Sequence, residues 1–163
     1  MKLTVAILLF VSLSVSAAAQ CPLKKTQDPY TKELRVTTGF IPLTNGKVSI
    51  MVTRPEIDFM FVLPGGNCFD DASSAMVLYE GLKIRTNIKN GGADNCDGIF
   101  HFIFRNAAGL PTSLQNLSGK KVSSIKFKDN AGKESEITLI GEQQTLFTQY
   151  VNCMLAEAKA LLQ

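Results

Sequence analysis

The sequence predicts an α+β fold: a mainly antiparallel sheet of about seven to eight strands with a long C-terminal amphipathic helix packed on one face. Three observations lead there. The stretch Ile99-Phe100-His101-Phe102-Ile103-Phe104-Arg105 alternates with the period of a strand, so three phenylalanines share one face and Ile99, His101, Ile103 and Arg105 share the other. Further alternating runs, bounded by Gly, Asn, Asp and Pro, recur on both sides of it. From about Gln143 to Leu162, the residues Leu146, Phe147, Tyr150, Val151, Met154, Leu155, Ala158, Leu161 and Leu162 return at helical spacing. A stripe that wide needs a sheet face to cover, and the row Phe100, Phe102, Phe104 is the expected partner. The alternative is a closed β-barrel with the helix outside, since that many strands can close.

The first nineteen residues read as a leader. Lys2 supplies a positive start, Leu3 to Val15 is apolar apart from Thr and Ser, and Ala17-Ala18-Ala19 supplies the small residues of a cleavage site. The expected organisation is therefore a signal peptide over 1–19, cut after Ala19, and a single disulfide-stabilised α+β domain over 20–163. The apolar run is shorter than the roughly 18–20 residues a spanning helix needs, and no later stretch qualifies. A lipid anchor on Cys21 is the competing reading. It is disfavoured because Gln20 is a poor residue to stand before a lipid-modified cysteine.

Pro22 to Thr31 looks like an irregular lead-in, and Leu34 to Thr38 a short β-prone run. Thr44-Asn45-Gly46-Lys47 is the clearest local turn. Asn-Gly between apolar runs favours a two-residue type I′ hairpin with Asn45 and Gly46 at its centre. Lys47 to Thr53 returns with Val48, Ile50 and Val52 on one face, and Pro42 marks the outgoing arm as an edge or a bend. Ile57, Phe59, Phe61 and Leu63 share one face of the next strand, and Asp58, Met60 and Val62 the other. Ala75–Tyr79 and Leu82–Asn87 form a hairpin through Glu80-Gly81, and Lys89 to Gly98 is a polar loop that delivers the chain to the phenylalanine strand. Leu110 to Leu117 suits a short helix with Pro111 in its first turn. Lys121–Lys128 and Ser135–Ile140 are two more strands, turned at Asp129-Asn130-Ala131-Gly132.

The four cysteines, Cys21, Cys68, Cys96 and Cys153, all follow the leader, and an even number in an exported chain implies two disulfides. If Ala75–Tyr79, Leu82–Asn87 and Ile99–Phe104 form a three-strand meander, Cys68 and Cys96 stand at the same end of it. The expected bridges are then Cys68–Cys96 and Cys21–Cys153. No C-x-x-C pair signals a redox site or a zinc knuckle.

Chemistry is sparse. The chain has 17 Lys and Arg against 14 Asp and Glu, and one histidine. Near-neutral charge excludes an electrostatic case for nucleic acid, and a lone histidine excludes a multi-histidine metal site. His101 has two readings, a general base with Arg105 on the same face or a strand histidine bonded to a neighbour, and the second is preferred because no nucleophile motif accompanies it. Asp94 and Asp97 suggest calcium, but aligning Gly98 with the glycine of an EF-hand loop puts Ala93 at the first ligand position. Asp70-Asp71 is the other carboxylate pair. Gly65-Gly66 and Gly91-Gly92 lack the strand–glycine–helix order of a phosphate loop. Lys120, Lys121, Lys126, Lys128 and Lys133 concentrate across one hairpin and read as a guard against edge pairing. Asn116-Leu117-Ser118 matches a glycosylation acceptor pattern that packing of Leu117 would make a chance match.

The expectation is an exported, secreted or periplasmic, non-catalytic binding or accessory domain for a protein or surface partner. It has no cofactor, no nucleic-acid partner and no membrane span. Its candidate contact loop carries Asp94, Asn95 and Asp97, because a long polar loop pinned by Cys96 beside a rigid strand is suited to contact. The alternatives are a carrier of a small apolar ligand in an internal cavity and, third, a hydrolase with an unrecognised site using His101 or the aspartates.

Overall fold

The structure is a computed structural model, and it describes residues 21–163. The leader, Ala19 and Gln20 lie outside the described residues. Eleven elements follow: β1 (Lys24–Gln27), β2 (Leu34–Leu43), β3 (Gly46–Val52), β4 (Glu56–Val62), β5 (Ser74–Tyr79), β6 (Arg85–Lys89), β7 (Ile99–Arg105), α1 (Thr112–Gly119), β8 (Val122–Lys128), β9 (Glu134–Thr138) and α2 (Glu142–Ala160). The strands form two antiparallel sheets, one ordered β1-β2-β3-β4-β7 and the other β6-β5-β8-β9. The α+β class holds. No barrel closes, since each sheet ends in strands that pair on one side only.

Among the described residues nine strands stand where seven or eight were expected, and the extra one is β1, in the segment read as an irregular lead-in. Its residues Lys24, Lys25, Thr26 and Gln27 are all exposed, so no hydrophobic alternation marks them. Pairing with Leu34–Thr37 of β2 is what makes them a strand. β2 runs further than expected, across a register shift between Thr37 and Phe40 at which Gly39 takes φ +67°. Pro42 falls in the half of β2 that β1 does not cover, where a missing N–H is harmless.

The hairpin turn sits one residue earlier than expected. Leu43 pairs with Gly46, leaving Thr44 and Asn45 as the loop, and Asn45 alone has positive φ, at 66°. Gly46 is required for space: a Cβ there would lie 2.8 Å from Ile137 Cδ1 and 2.9 Å from Val62 O. The glycine lets β3 begin directly beneath β9.

The three-strand meander does not form. β5 pairs with β6 and β8, whereas β7 crosses into the other sheet and pairs with β4 over seven positions, Glu56↔Arg105 to Val62↔Ile99. That register sets Ile57 opposite Phe104, Phe59 opposite Phe102 and Phe61 opposite Phe100, all facing inward. Cross-strand aromatic pairs stabilise a sheet by roughly 0.2–1 kcal/mol each, and β6, with one buried side chain, has nothing comparable to offer β7.

The helix does not cover the whole phenylalanine row. Phe100 and Phe102 meet Phe127 of β8 at 5.2 and 6.4 Å between ring centroids, and Phe69 stands edge-on to Phe100 at 5.1 Å. α2 instead sets Phe147 6.4 Å from Phe59 of β4, which in turn stands edge-on to Phe104 at 5.8 Å. The reason is a second apolar face: Ala75, Val77 and Tyr79 of β5 with Val122, Ile125 and Phe127 of β8 are all buried and need a partner themselves. The two sheets therefore face one another, and α2 closes the remaining side of a shared core.

Candidate functional site

Disulfides join Cys68 to Cys96 and Cys21 to Cys153, with Cα separations of 3.9 and 6.4 Å. The pairs are those expected, but the meander that suggested the first is absent. A two-stranded bridge brings the cysteines together instead: Phe69 N–H donates to Asn95 O at 2.8 Å and Asn95 N–H to Phe69 O at 2.9 Å. The second bridge ties the segment before β1 to the middle of α2.

This bridge anchors the candidate contact loop. Asn95 is part of the scaffold, since its Nδ2 donates to Ala93 O and Ile99 O at 3.0 and 2.9 Å and its Oδ1 accepts from Asp97 N–H and Ile99 N–H. Asn90, which sequence reading passed over, does the same at the other end. It is buried, donates to Asp70 O at 3.1 Å, and accepts from His101 N–H at 2.9 Å. Gly91 N–H then donates to His101 O, so the loop caps the outer edge of β7. Gly98 closes the loop at φ +72°, where a Cβ would lie 2.3 Å from Leu63 O. Asp94 and Asp97 are left exposed on this frame. The only sequence signal for Asn90 was its place before Gly91-Gly92, which is too common to single it out.

Asp70 belongs to the same corner. Its Oδ1 accepts from Ser73 Oγ at 2.8 Å and from Ser73 and Ala72 N–H at 2.9 and 3.0 Å, an Asx turn into β5. The Ser73 hydroxyl, followed by the two backbone donors, holds its carboxyl below the ordinary aspartate value of 3.8. Asp71 is exposed beside it.

His101 stands on the outer face of the first sheet. Its Nδ1 lies 2.9 and 3.0 Å from the two carboxylate oxygens of Asp58, one strand over and diagonal to it. Gly92 passes across the ring so closely that a Cβ there would sit 2.4 Å from Cδ2. Among the described residues no hydroxyl hydrogen bonds to Nε2, and all four cysteines are bridged. Arg105 is at the far end of the strand and makes no contact with the pair that the structure resolves as a hydrogen bond or ion pair. The arrangement orients an imidazole; it does not assemble a nucleophile, a base and an orienting acid.

No known protein family, curated protein or solved structure matches this chain. Among the described residues no three His, Cys, Asp or Glu side chains converge as metal ligands would. No helix among them is long and apolar enough to cross a membrane. The lysines are interleaved with acids, Lys126 opposite Glu136 and Lys128 opposite Glu134, while Lys133 donates to Gly65 O at 3.0 Å. The acceptor residue Asn116 lies inside α1, donates to Thr86 Oγ1 at 3.3 Å and accepts from Lys120 Nζ, with Leu117 fully buried beside it.

Proposed function

We propose that the chain is an exported, non-catalytic binding or accessory domain that engages a protein or surface partner through its fixed outer loops. Export with cleavage between Ala19 and Gln20 belongs to this reading, and two disulfides among the four cysteines are compatible with an oxidising compartment. One observation supports surface binding over internal carriage. Seven phenylalanines, Phe59, Phe61, Phe69, Phe100, Phe102, Phe127 and Phe147, meet inside among aliphatic side chains and are all under 2% exposed, so the core is filled by rings and not by a ligand-sized void. The loop over residues 89–98 is the contact surface on this reading, because its polar groups are spent on holding its shape while Asp94 and Asp97 face outward. A pre-ordered loop loses little entropy on binding.

A photo-crosslinking side chain placed at Asp94 or Asp97, in cells that export the protein, tests this. The expected result is one discrete adduct from either position and none from Glu136 on the opposite sheet. Equal labelling from all three positions, or no adduct at all, refutes the loop. A stoichiometric apolar molecule in the native mass spectrum of the purified protein would refute surface binding itself and favour the carrier.

A further inference from the structure

An open cleft of about 700 Å³ lies at the other end of β7 from the loop, where four distant segments meet: Thr31–Leu34, Arg54-Pro55, Arg105-Asn106 and Leu161-Leu162. Seven strand residues separate the two places by about 20 Å, so this site is independent of the loop reading. Its lining has two characters. Leu34 and Leu162, each 37% exposed, and the half-buried Leu161 form an apolar floor. Arg54, Arg105 and Lys32 supply three cations against the single carboxylate of Glu33, and Glu33 already lies 3.9 Å from Arg35 outside the cleft. None of the three cations forms an ion pair among the described residues, although Glu56 faces Arg105 in the β4–β7 register.

Asn106 adds a specific polar group. It is 7% exposed, and its Nδ2 donates to Thr53 O at 3.2 Å and Ala158 O at 3.0 Å, which fixes the orientation of the amide. Its own N–H donates to Pro55 O at 2.8 Å. Oδ1 accepts no hydrogen bond from a described residue, yet no fully enclosed side-chain oxygen or nitrogen is left without a partner. Oδ1 is therefore not fully enclosed, and Asn106 is one of the residues that line the cleft. The residues lining the cleft offer guanidinium groups for a carboxylate, an asparagine oxygen left free to accept an N–H, and a leucine floor.

We infer that the cleft binds the free C-terminus of a peptide that ends in an apolar residue. The terminal carboxylate meets Arg54 and Arg105, the last peptide N–H donates to Asn106 Oδ1, and the last side chain lies on Leu34, Leu161 and Leu162. A fatty carboxylate would satisfy the arginines and the leucines and leave Oδ1 without a donor, so the acceptor selects the peptide.

Fluorescence anisotropy with labelled Gly-Gly-Phe-Leu tests the assignment on the full oxidised protein. The free acid should bind at least about tenfold more tightly than the C-terminal amide, the factor expected for losing a charge-assisted pair. Arg105→Gln and Arg54→Gln should each remove most of that preference while leaving the melting temperature unchanged, since both side chains are exposed and unpaired; either variant alone suffices if the other fails to fold. Replacing the last peptide N–H by an ester oxygen should weaken binding severalfold in wild type and in both variants alike. Equal binding of acid and amide, or no binding of any free-acid peptide, overturns the site. Binding of the ester equal to that of the amide-linked peptide, with decanoate competing as well as either, overturns the peptide and leaves an amphiphilic anion. Neither result bears on crosslinking from Asp94, so the two proposals fail separately.

Discussion

Single side chains in this protein do most of their work on the backbone. Asn90, Asn95, Asn106, Asp70 and Asp28 each hold a turn or an edge by bonding main-chain groups, which is how irregular segments satisfy buried N–H and C=O without a ladder. Asp70 makes this measurable. Its folded carboxyl is held below 3.8, so its contribution is present above that pH and disappears as pH falls through the lower folded value. Asp70→Ala should therefore lower the melting temperature at pH 7, and the gap from wild type should close as pH falls below the ordinary aspartate value of 3.8. Thermal unfolding followed by circular dichroism across that range checks it; a gap that stays constant with pH would mean that only the neutral contacts of Asp70 matter. The pairing of His101 with Asp58 differs, joining side chain to side chain across the outer face of the first sheet.

At the scale of elements, the two bridges act on different parts of the chain. Cys68–Cys96 reinforces a corner that hydrogen bonds already hold, whereas Cys21–Cys153 fastens an exposed edge strand with four unburied residues to the long helix. Lys25 Nζ, 2.7 Å from Glu157, is the ion pair alongside it, and it is too exposed to replace the covalent link. The double variant Cys21→Ser/Cys153→Ser should lose about 2–5 kcal/mol in urea unfolding. Hydrogen exchange should rise first in β1 and at the β1-paired end of β2, with β4 and β7 still protected. Uniform loss of protection would show instead that β1 and the core unfold together.

For the whole molecule the decisive contact is between sheets. Phe127 lies within 6.4 Å, centroid to centroid, of Phe61, Phe69, Phe100 and Phe102, and so joins the second sheet to the first at one point. Phe127→Ala should cost about 3–5 kcal/mol, with near-ultraviolet dichroism losing its phenylalanine fine structure. Ile103→Ala, on the outer face of β7 and 39% exposed, should cost well under 1 kcal/mol by the same unfolding measurement. Similar costs at the two positions would contradict a core located between the sheets.

Alternation along the chain was enough to find β3, β4, β5, β7, β8 and α2 and, for all but β5, to group the side chains that share a face, because burial on one face imposes a period of two or 3.6 whatever the partner is. It could not say which strand pairs with which. The phenylalanine strand fits β4 and not β6 because Phe59 and Phe61 match it ring for ring, a comparison between segments about forty residues apart. β1 left no mark at all, since its burial is nil and its hydrogen bonds are lent by β2. The loop with Asp94 and Asp97 was legible as a loop, while its rigidity depends on Asn90 and Asn95 finding carbonyls that only the folded chain supplies. The cleft was not legible in any form: Arg54, Arg105-Asn106 and Leu162 come from separate parts of the sequence, and only the packing of α2 against the β3–β4 turn makes them neighbours. Local periodicity determines elements and faces; long-range complementarity of those faces determines the sheets, and with them which distant residues become neighbours.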